Sequence, residues 1–251
     1  MSRISSNTYF HFTKFENLIG ILEHNFYPRY CSECTYTSDG NTINFSFPIV
    51  CFCDIPLSQI SNHIKHYGNY GIGLSKEWVL RNRLNPIIYL QKQSYLSKKL
   101  ELVLNSNWES VNALPIKQLL DDRDALIYLL MHIKPYEGMQ IRNGNKESIR
   151  FYDEREWRYI PDISRLEDEE LHLLTEKYSD EQIKRKNDLL KEYPLKFEPN
   201  DIKYIIIKSE NERKDVIKKI SEIKSSKSYS FEDIQLLTSK IITVEQINED
   251  F

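Results

Sequence analysis

Long apolar runs are missing from this 251-residue chain. No stretch approaches the ~18 consecutive apolar residues that a membrane-spanning helix needs, so no membrane role is expected. The first nine residues are polar and lack the apolar core of a secretory signal, which points to a cytoplasmic location. A basic surplus is missing too. Lys and Arg number 34 against 37 Asp and Glu, leaving a net charge of -3, so no global positive field argues for nucleic acid. Glycine is scarce, at 7. The Gly-x-x-x-x-Gly-Lys phosphate loop, the Gly-x-Ser-x-Gly nucleophile elbow and the His-Glu-x-x-His zinc helix are all absent. Cysteine is limited to 4, and in a reducing compartment these read as thiols or metal ligands rather than disulfides.

What is present is a globular composition, 40% hydrophobic and 28% charged, enough to bury a core and too apolar for a disordered chain. The order of patterns is that of an α+β fold. A short aromatic strand over 9–13 carries His11 at its end. Thr13-Lys-Phe-Glu16 reads as a capping box, and Phe15, Leu18, Ile19 and Leu22 give an amphipathic helix over 14–24. Residues 25–44 look like a loop, 49–55 a buried strand, 57–64 a short helix, 66–69 a turn and 70–74 a strand. Ser75 caps a helix through Trp78. Strands are expected at 87–91, 151–161, 202–207 and 241–244. Helices are expected at 97–105, 116–133, 211–223 and 230–239, with a loop at 135–146. The chain reads as a single domain, 1–251, with a charged helical insertion or exposed arm over 165–193.

Four groups of residues carry chemistry. Cys31-Ser-Glu-Cys34 and Cys51-Phe-Cys53 have the paired thiols of a zinc half-site, although two core cysteines plus two loop cysteines are the preferred reading. His11-Phe-Thr13 places an imidazole and a hydroxyl beside a helix start, where a ligand hydroxyl or phosphate finds N–H donors; a core histidine bonded to backbone is the alternative. Tyr67-Gly-Asn-Tyr70-Gly-Ile-Gly73 offers glycines for close approach or unusual backbone angles and aromatic faces for stacking, or else a turn flanked by packed rings. Asp153-Glu154-Arg155-Glu156-Trp157-Arg158 puts Glu154 and Glu156 on one face of a strand. Side by side, such carboxylates raise each other's pKa and divide roles, unless Glu–Arg pairs simply form a solvated face. His63, His66 and His132 complete no triad.

The runs Phe10-His-Phe-Thr-Lys-Phe-Glu-Asn-Leu-Ile-Gly-Ile-Leu22, Pro48-Ile-Val-Cys-Phe-Cys-Asp-Ile-Pro-Leu-Ser58 and His66-Tyr-Gly-Asn-Tyr-Gly-Ile-Gly-Leu-Ser-Lys-Glu-Trp78, with Pro28-Arg-Tyr-Cys31 between the first two, resemble the AbiGi family. These are bacterial abortive-infection proteins associated with phage resistance and usually labelled the antitoxin member of a pair. The resemblance is dense over 9–90 and thins toward Trp157. It implies a cognate toxin or antitoxin as partner. More distantly, a His-x-Thr strand followed by an Asn-Leu-x-x-Ile-Leu helix is similar to the opening of ADP-ribosyltransferase folds. That similarity implies two small, mostly antiparallel sheets around a central cleft, with NAD bound as substrate. His11, with Thr13 beside it, would contact ribose hydroxyls and Tyr70 or Tyr67 would stack on nicotinamide. Glu156, with Glu154 first in a Glu-x-Glu pair, would bind the ribose 2′-OH and stabilise an oxocarbenium-like transition state. The acceptor would be a protein or nucleic acid. The alternative is a non-catalytic antitoxin that neutralises a nucleotidyltransferase-like toxin encoded nearby, with the 165–193 arm as its docking surface.

Overall fold

The structure is a computed structural model that describes residues 6–36, 42–105, 125, 128–142, 145–161, 173–174, 179–227 and 229–250. In chain order the first half comprises β1 Thr8–Thr13, α1 Phe15–His24, β2 Arg29–Tyr36, β3 Thr42–Cys53, α2 Ser61–Tyr67, β4 Tyr70–Ser75, α3 Lys76–Arg81, β5 Asn85–Pro86, β6 Ile88–Leu90 and α4 Tyr95–Asn105. The second half comprises β7 Ile133–Pro135, β8 Gly138–Arg142, β9 Asn145–Ile149, β10 Glu156–Tyr159, β11 Leu173–Leu174, α5 Asp180–Leu189, β12 Ile202–Ile207, α6 Arg213–Lys227, α7 Phe231–Ser239, β13 Ile241–Thr243 and α8 Val244–Asp250.

The strands of one nine-stranded sheet run β13-β12-β4-β1-β3-β10-β5, with β2 and β11 also paired to β3. Its pairings are antiparallel except β12 with β13. The 12-residue β3 is long enough to serve several partners. Its residues 42–49 pair with β2, and Cys53 pairs with Phe10 of β1. At the junction the Cys51 carbonyl accepts from His11 Nδ1 at 2.8 Å. A side chain takes over where the ladder changes partner.

Alternation along the strands sends side chains to two apolar layers. Tyr9, Phe52, Ile72, Leu74, Ile205 and Ile207 meet Leu18, Leu22, Trp78, Val216, Ile220 and Leu237 on one side. Phe10, Phe12, Cys53 and Ile206 meet Ile55, Leu57, Ile60, Ile64 and Ile247 on the other. Trp78 is fully buried and its indole N–H donates to Lys196 O at 2.9 Å. Ser75 caps α3 as expected, its hydroxyl accepting from Trp78 N–H at 3.1 Å. The glycines of the Tyr67–Gly73 stretch serve packing. Gly68 ends α2 at φ 118°, where its missing Cβ would land on the Thr13 carbonyl. A Cβ at Gly73 would meet Thr8 Cγ2 at 2.7 Å and the Phe10 ring at 2.8 Å.

Several expectations are corrected. Residues 29–36 form a strand, not a loop, because β3 supplies a continuous partner to a polar segment with no apolar period of its own. Residues 138–142 and 145–149 form a strand pair where a loop was expected. The capping box at Thr13 is absent: Thr13 stays in β1, its hydroxyl accepts from Asn17 Nδ2 at 3.0 Å, and Lys14 precedes α1 without a side-chain cap. Of the helix expected at 116–133, residues 125 and 128–131 are helical, His132 is a turn and Ile133 lies in β7; the rest falls outside the described residues. Within 165–193, α5 begins at a Ser179–Gln182 capping box and Leu173–Leu174 pairs with Phe45 and Ser46 of β3. Residues 165–172 and 175–178 lie outside the described residues.

Candidate functional site

A cavity of about 750 Å³ opens beside the β1–β3 junction. His11, Thr13, Tyr67, Glu154 and Glu156 all line it, so segments distant along the chain converge there.

His11 reaches it from β1. Its ring lies edge-on to Phe26, with centroids 5.3 Å apart, and tilted against Phe52 at 5.8 Å. A carbonyl only accepts, so the contact with Cys51 O fixes the proton on Nδ1. Burial pushes the imidazole pKa down against that hydrogen bond. The ring is therefore neutral at pH 7, with Nε2 carrying a lone pair.

The two glutamates do not share a strand. Phe151–Glu154 is a 3₁₀ turn, and Glu156 opens β10. Arg155 between them adopts φ 46°, held there by its Nε donating to Asp54 O at 2.7 Å and its carbonyl accepting from Asp54 N–H at 3.0 Å. This left-handed residue brings both carboxylates onto one ammonium. Lys134 Nζ, from β7, donates to Glu154 Oε2 at 2.7 Å and to Glu156 Oε2 at 2.8 Å. Tyr67 Oη donates to Glu154 Oε1 at 2.7 Å. Arg158 Nε donates to Glu156 Oε1 at 2.6 Å, while its Nη1 donates to Met131 O at 2.6 Å and its Nη2 to Glu33 Oε2 at 2.8 Å. The Glu156 N–H donates to Tyr89 Oη at 2.8 Å. Side-chain exposure is 12% for Lys134, 7% for Glu156 and 0% for Arg158, so these charges are stabilised by one another rather than by water.

The mutual pKa elevation expected for the carboxylates does not arise for Glu156. Burial acts to raise it, but Arg158 and Lys134 hold it well below the usual carboxylate range. Lys134 goes the other way: burial acts to lower it, and Glu156, Glu33 and Glu154 hold it well above the ordinary lysine value. Glu156 is thus an anion with both oxygens occupied. It is placed to accept further hydrogen bonds, not to relay a proton.

Tyr70 is not part of this wall. The antiparallel register sets it opposite Thr13, edge-on to Phe15 with centroids 5.2 Å apart, and its hydroxyl donates to Glu212 Oε2 at 2.9 Å. Burial and that carboxylate push its pKa up to about 12. It lines a separate recess of about 490 Å³ with Phe15, Glu16 and Glu212. Three residues earlier, on α2, Tyr67 is the tyrosine at the cavity.

The cysteines disperse. Cys53 Sγ donates to Phe10 O at 3.4 Å in one apolar layer, while Cys51 and Cys31 pack with Phe47, Ile49 and Met131 in another. Burial pushes the Cys31 thiol up to about 11 and raises those of Cys51 and Cys53 as well. Cys34 stands opposite Asn44 in β2, and its side chain lies outside the described residues. Among the described residues no group of three or more His, Cys, Asp and Glu side chains is arranged to hold a metal ion.

Sequence reasoning missed Lys134, Glu33 and Tyr89. Arg158 was legible, since it sits two residues after Glu156 on the same strand face. Lys134 comes from a three-residue strand whose neighbours in sequence announce nothing.

Comparisons with known proteins bear on what this site belongs to. No solved structure matches the chain. Over 259 aligned residues it is 29% identical to a protein named "Abortive phage resistance protein AbiGi" from Lactococcus lactis subsp. cremoris, covering 90% of this chain and 99% of that protein. A family model described as "Putative abortive phage resistance protein AbiGi, antitoxin" matches residues 24–208, which include β2, β3 and every charged residue of the cavity wall named above. The chain belongs to the AbiGi family of abortive phage resistance proteins.

Proposed function

We propose that this AbiGi protein serves phage defence through a nucleotide-binding cavity of ADP-ribosyltransferase type, with NAD as its ligand. The observation that carries the reading is the meeting of His11, Tyr67, Glu154 and Glu156 on one cavity. A neutral imidazole beside fixed carboxylates suits ribose hydroxyls, which donate to both. In the transfer itself the bond from ribose C1′ to nicotinamide breaks, nicotinamide leaves with the bonding pair, and an acceptor nucleophile bonds to C1′ and loses a proton. An anion held in place before positive charge develops on the sugar stabilises that step without reorganising. Titration calorimetry with NAD, and mass spectrometry of cell protein and nucleic acid for added ADP-ribose, test the reading in wild type, Glu156→Gln and the milder Tyr67→Phe. The expectation is NAD binding by wild type, weakened in both folded variants, with ADP-ribose lost in Glu156→Gln. Unchanged binding and modification in both variants would overturn it.

A second reading is favoured by the fixing of both carboxylates by Lys134, Tyr67 and Arg158, which suits holding a ligand without turning it over, and by the antitoxin description of the family. In that reading the chain counteracts a cognate toxin encoded nearby. Co-expression with the neighbouring gene product would show rescue of growth that persists in Glu156→Gln. Absence of rescue by wild type removes it.

A further inference from the structure

The cavity has a second end. Arg29, Cys31 and Glu33 alternate along β2 and all line it, as the two-residue period of a strand requires. Glu33 marks the inner end, because it shares the Arg158 guanidinium with Glu156. Arg29 stands four residues earlier, ~13 Å away at the usual strand rise of about 3.3 Å per residue.

The inner cations are already committed. Lys134 holds two carboxylates, and Arg158 holds two more contacts on carboxylates and one on the Met131 carbonyl. At the outer end Lys191 pairs with Asp188 at 2.7 Å, and His24 lies 3.5 Å from Glu23. Asp188 neighbours Arg29 as well, and its acidity is strengthened first by the hydrogen bond from Lys191 and, more weakly, by Arg29. Arg29 itself is exposed and lines the cavity, and among the described residues it enters no ion pair. Its planar fork of donors matches phosphate oxygens two at a time.

We propose that the cavity takes a phosphorylated nucleoside lengthwise along β2, its phosphate or pyrophosphate on Arg29 at the mouth and its ribose at the Glu154–Glu156 end. This rests on the nucleotide reading above and adds which part of the ligand each end selects. Neutral sugar hydroxyls go to the carboxylates, whose charge repels phosphate. The phosphate goes to the Arg29 guanidinium at the mouth.

Titration calorimetry with NAD and with nicotinamide riboside, which lacks phosphate, separates the two ends. The riboside lacks the adenosine as well as the pyrophosphate, so wild type is expected to bind it at least ~10-fold more weakly than NAD, and Arg29→Gln isolates the phosphate's share. Arg29→Gln is expected to weaken NAD by ~10-fold or more while its Kd for the riboside matches that of wild type. Inorganic pyrophosphate should compete with NAD in wild type only. Equal affinity of wild type for the two ligands, or an Arg29→Gln chain that binds NAD as wild type does, overturns the phosphate assignment and leaves the nucleotide reading standing. A wild-type chain that binds neither ligand ends both.

Discussion

Single side chains on the cavity wall are governed by charge compensation, and the compensation has a pH signature. The folded pKa of Glu156 is depressed, so its stabilising contribution is full above the unfolded value of about 4.3 and is lost as pH falls through the folded value. The folded pKa of Lys134 is raised, so its contribution is full below the unfolded value of about 10.4 and is lost as pH rises through the folded value. Urea midpoints measured against pH should therefore fall on the acid side through Glu156 and on the alkaline side through Lys134. Glu156→Gln should flatten the acid limb; a limb identical to wild type would contradict the pairing. Arg158→Met leaves Glu156 and Glu33 without their shared partner in a site with 0% exposure of the guanidinium. A loss of about 3–5 kcal/mol is expected, read from denaturant unfolding. At this scale the sequence was legible where chemistry and spacing were local: His11, Glu154, Glu156 and Arg158 stand in short motifs. The choice between Tyr67 and Tyr70 was not, because it depends on the Gly68 turn and on the register of β4 against β1.

Elements announced themselves when their own periodicity was enough. Phe15, Leu18 and Leu22 marked α1, Ser75 marked the start of α3, and the Ile-rich run marked β12. The strand β2 hid because its residues are polar on both faces: one face lines the cavity, and the ladder to β3 supplies the order. The 3₁₀ turn before β10 hid because Arg155 reverses the alternation on which the strand expectation relied. Two substitutions test the element boundaries. Gly73→Ala forces a methyl against Thr8 and Phe10 and should cost about 1–3 kcal/mol of overpacking, with a lowered Tm. Ser75→Ala removes the hydrogen bond to Trp78 N–H and should cost about 1 kcal/mol by denaturant titration.

Across the whole molecule, β3 is the member that makes a cavity. It serves β2 along one stretch and β1 at its end, faces β10 and β11, and lets His11 bond the Cys51 carbonyl where partners change. The charged wall then forms from β10, the turn before it, β7 and β2. The order His11, Tyr70 or Tyr67, Glu156 was readable along the chain, whereas the meeting of His11, Tyr67 and Glu156 on one cavity depends on strand pairings of long sequence separation. The most direct measurement is a crystal structure of the chain grown with NAD. The account expects difference density in the cavity, with a ribose within hydrogen-bonding distance of His11 and Glu156. Density at the Tyr70 recess instead, or none at saturating NAD, would contradict it.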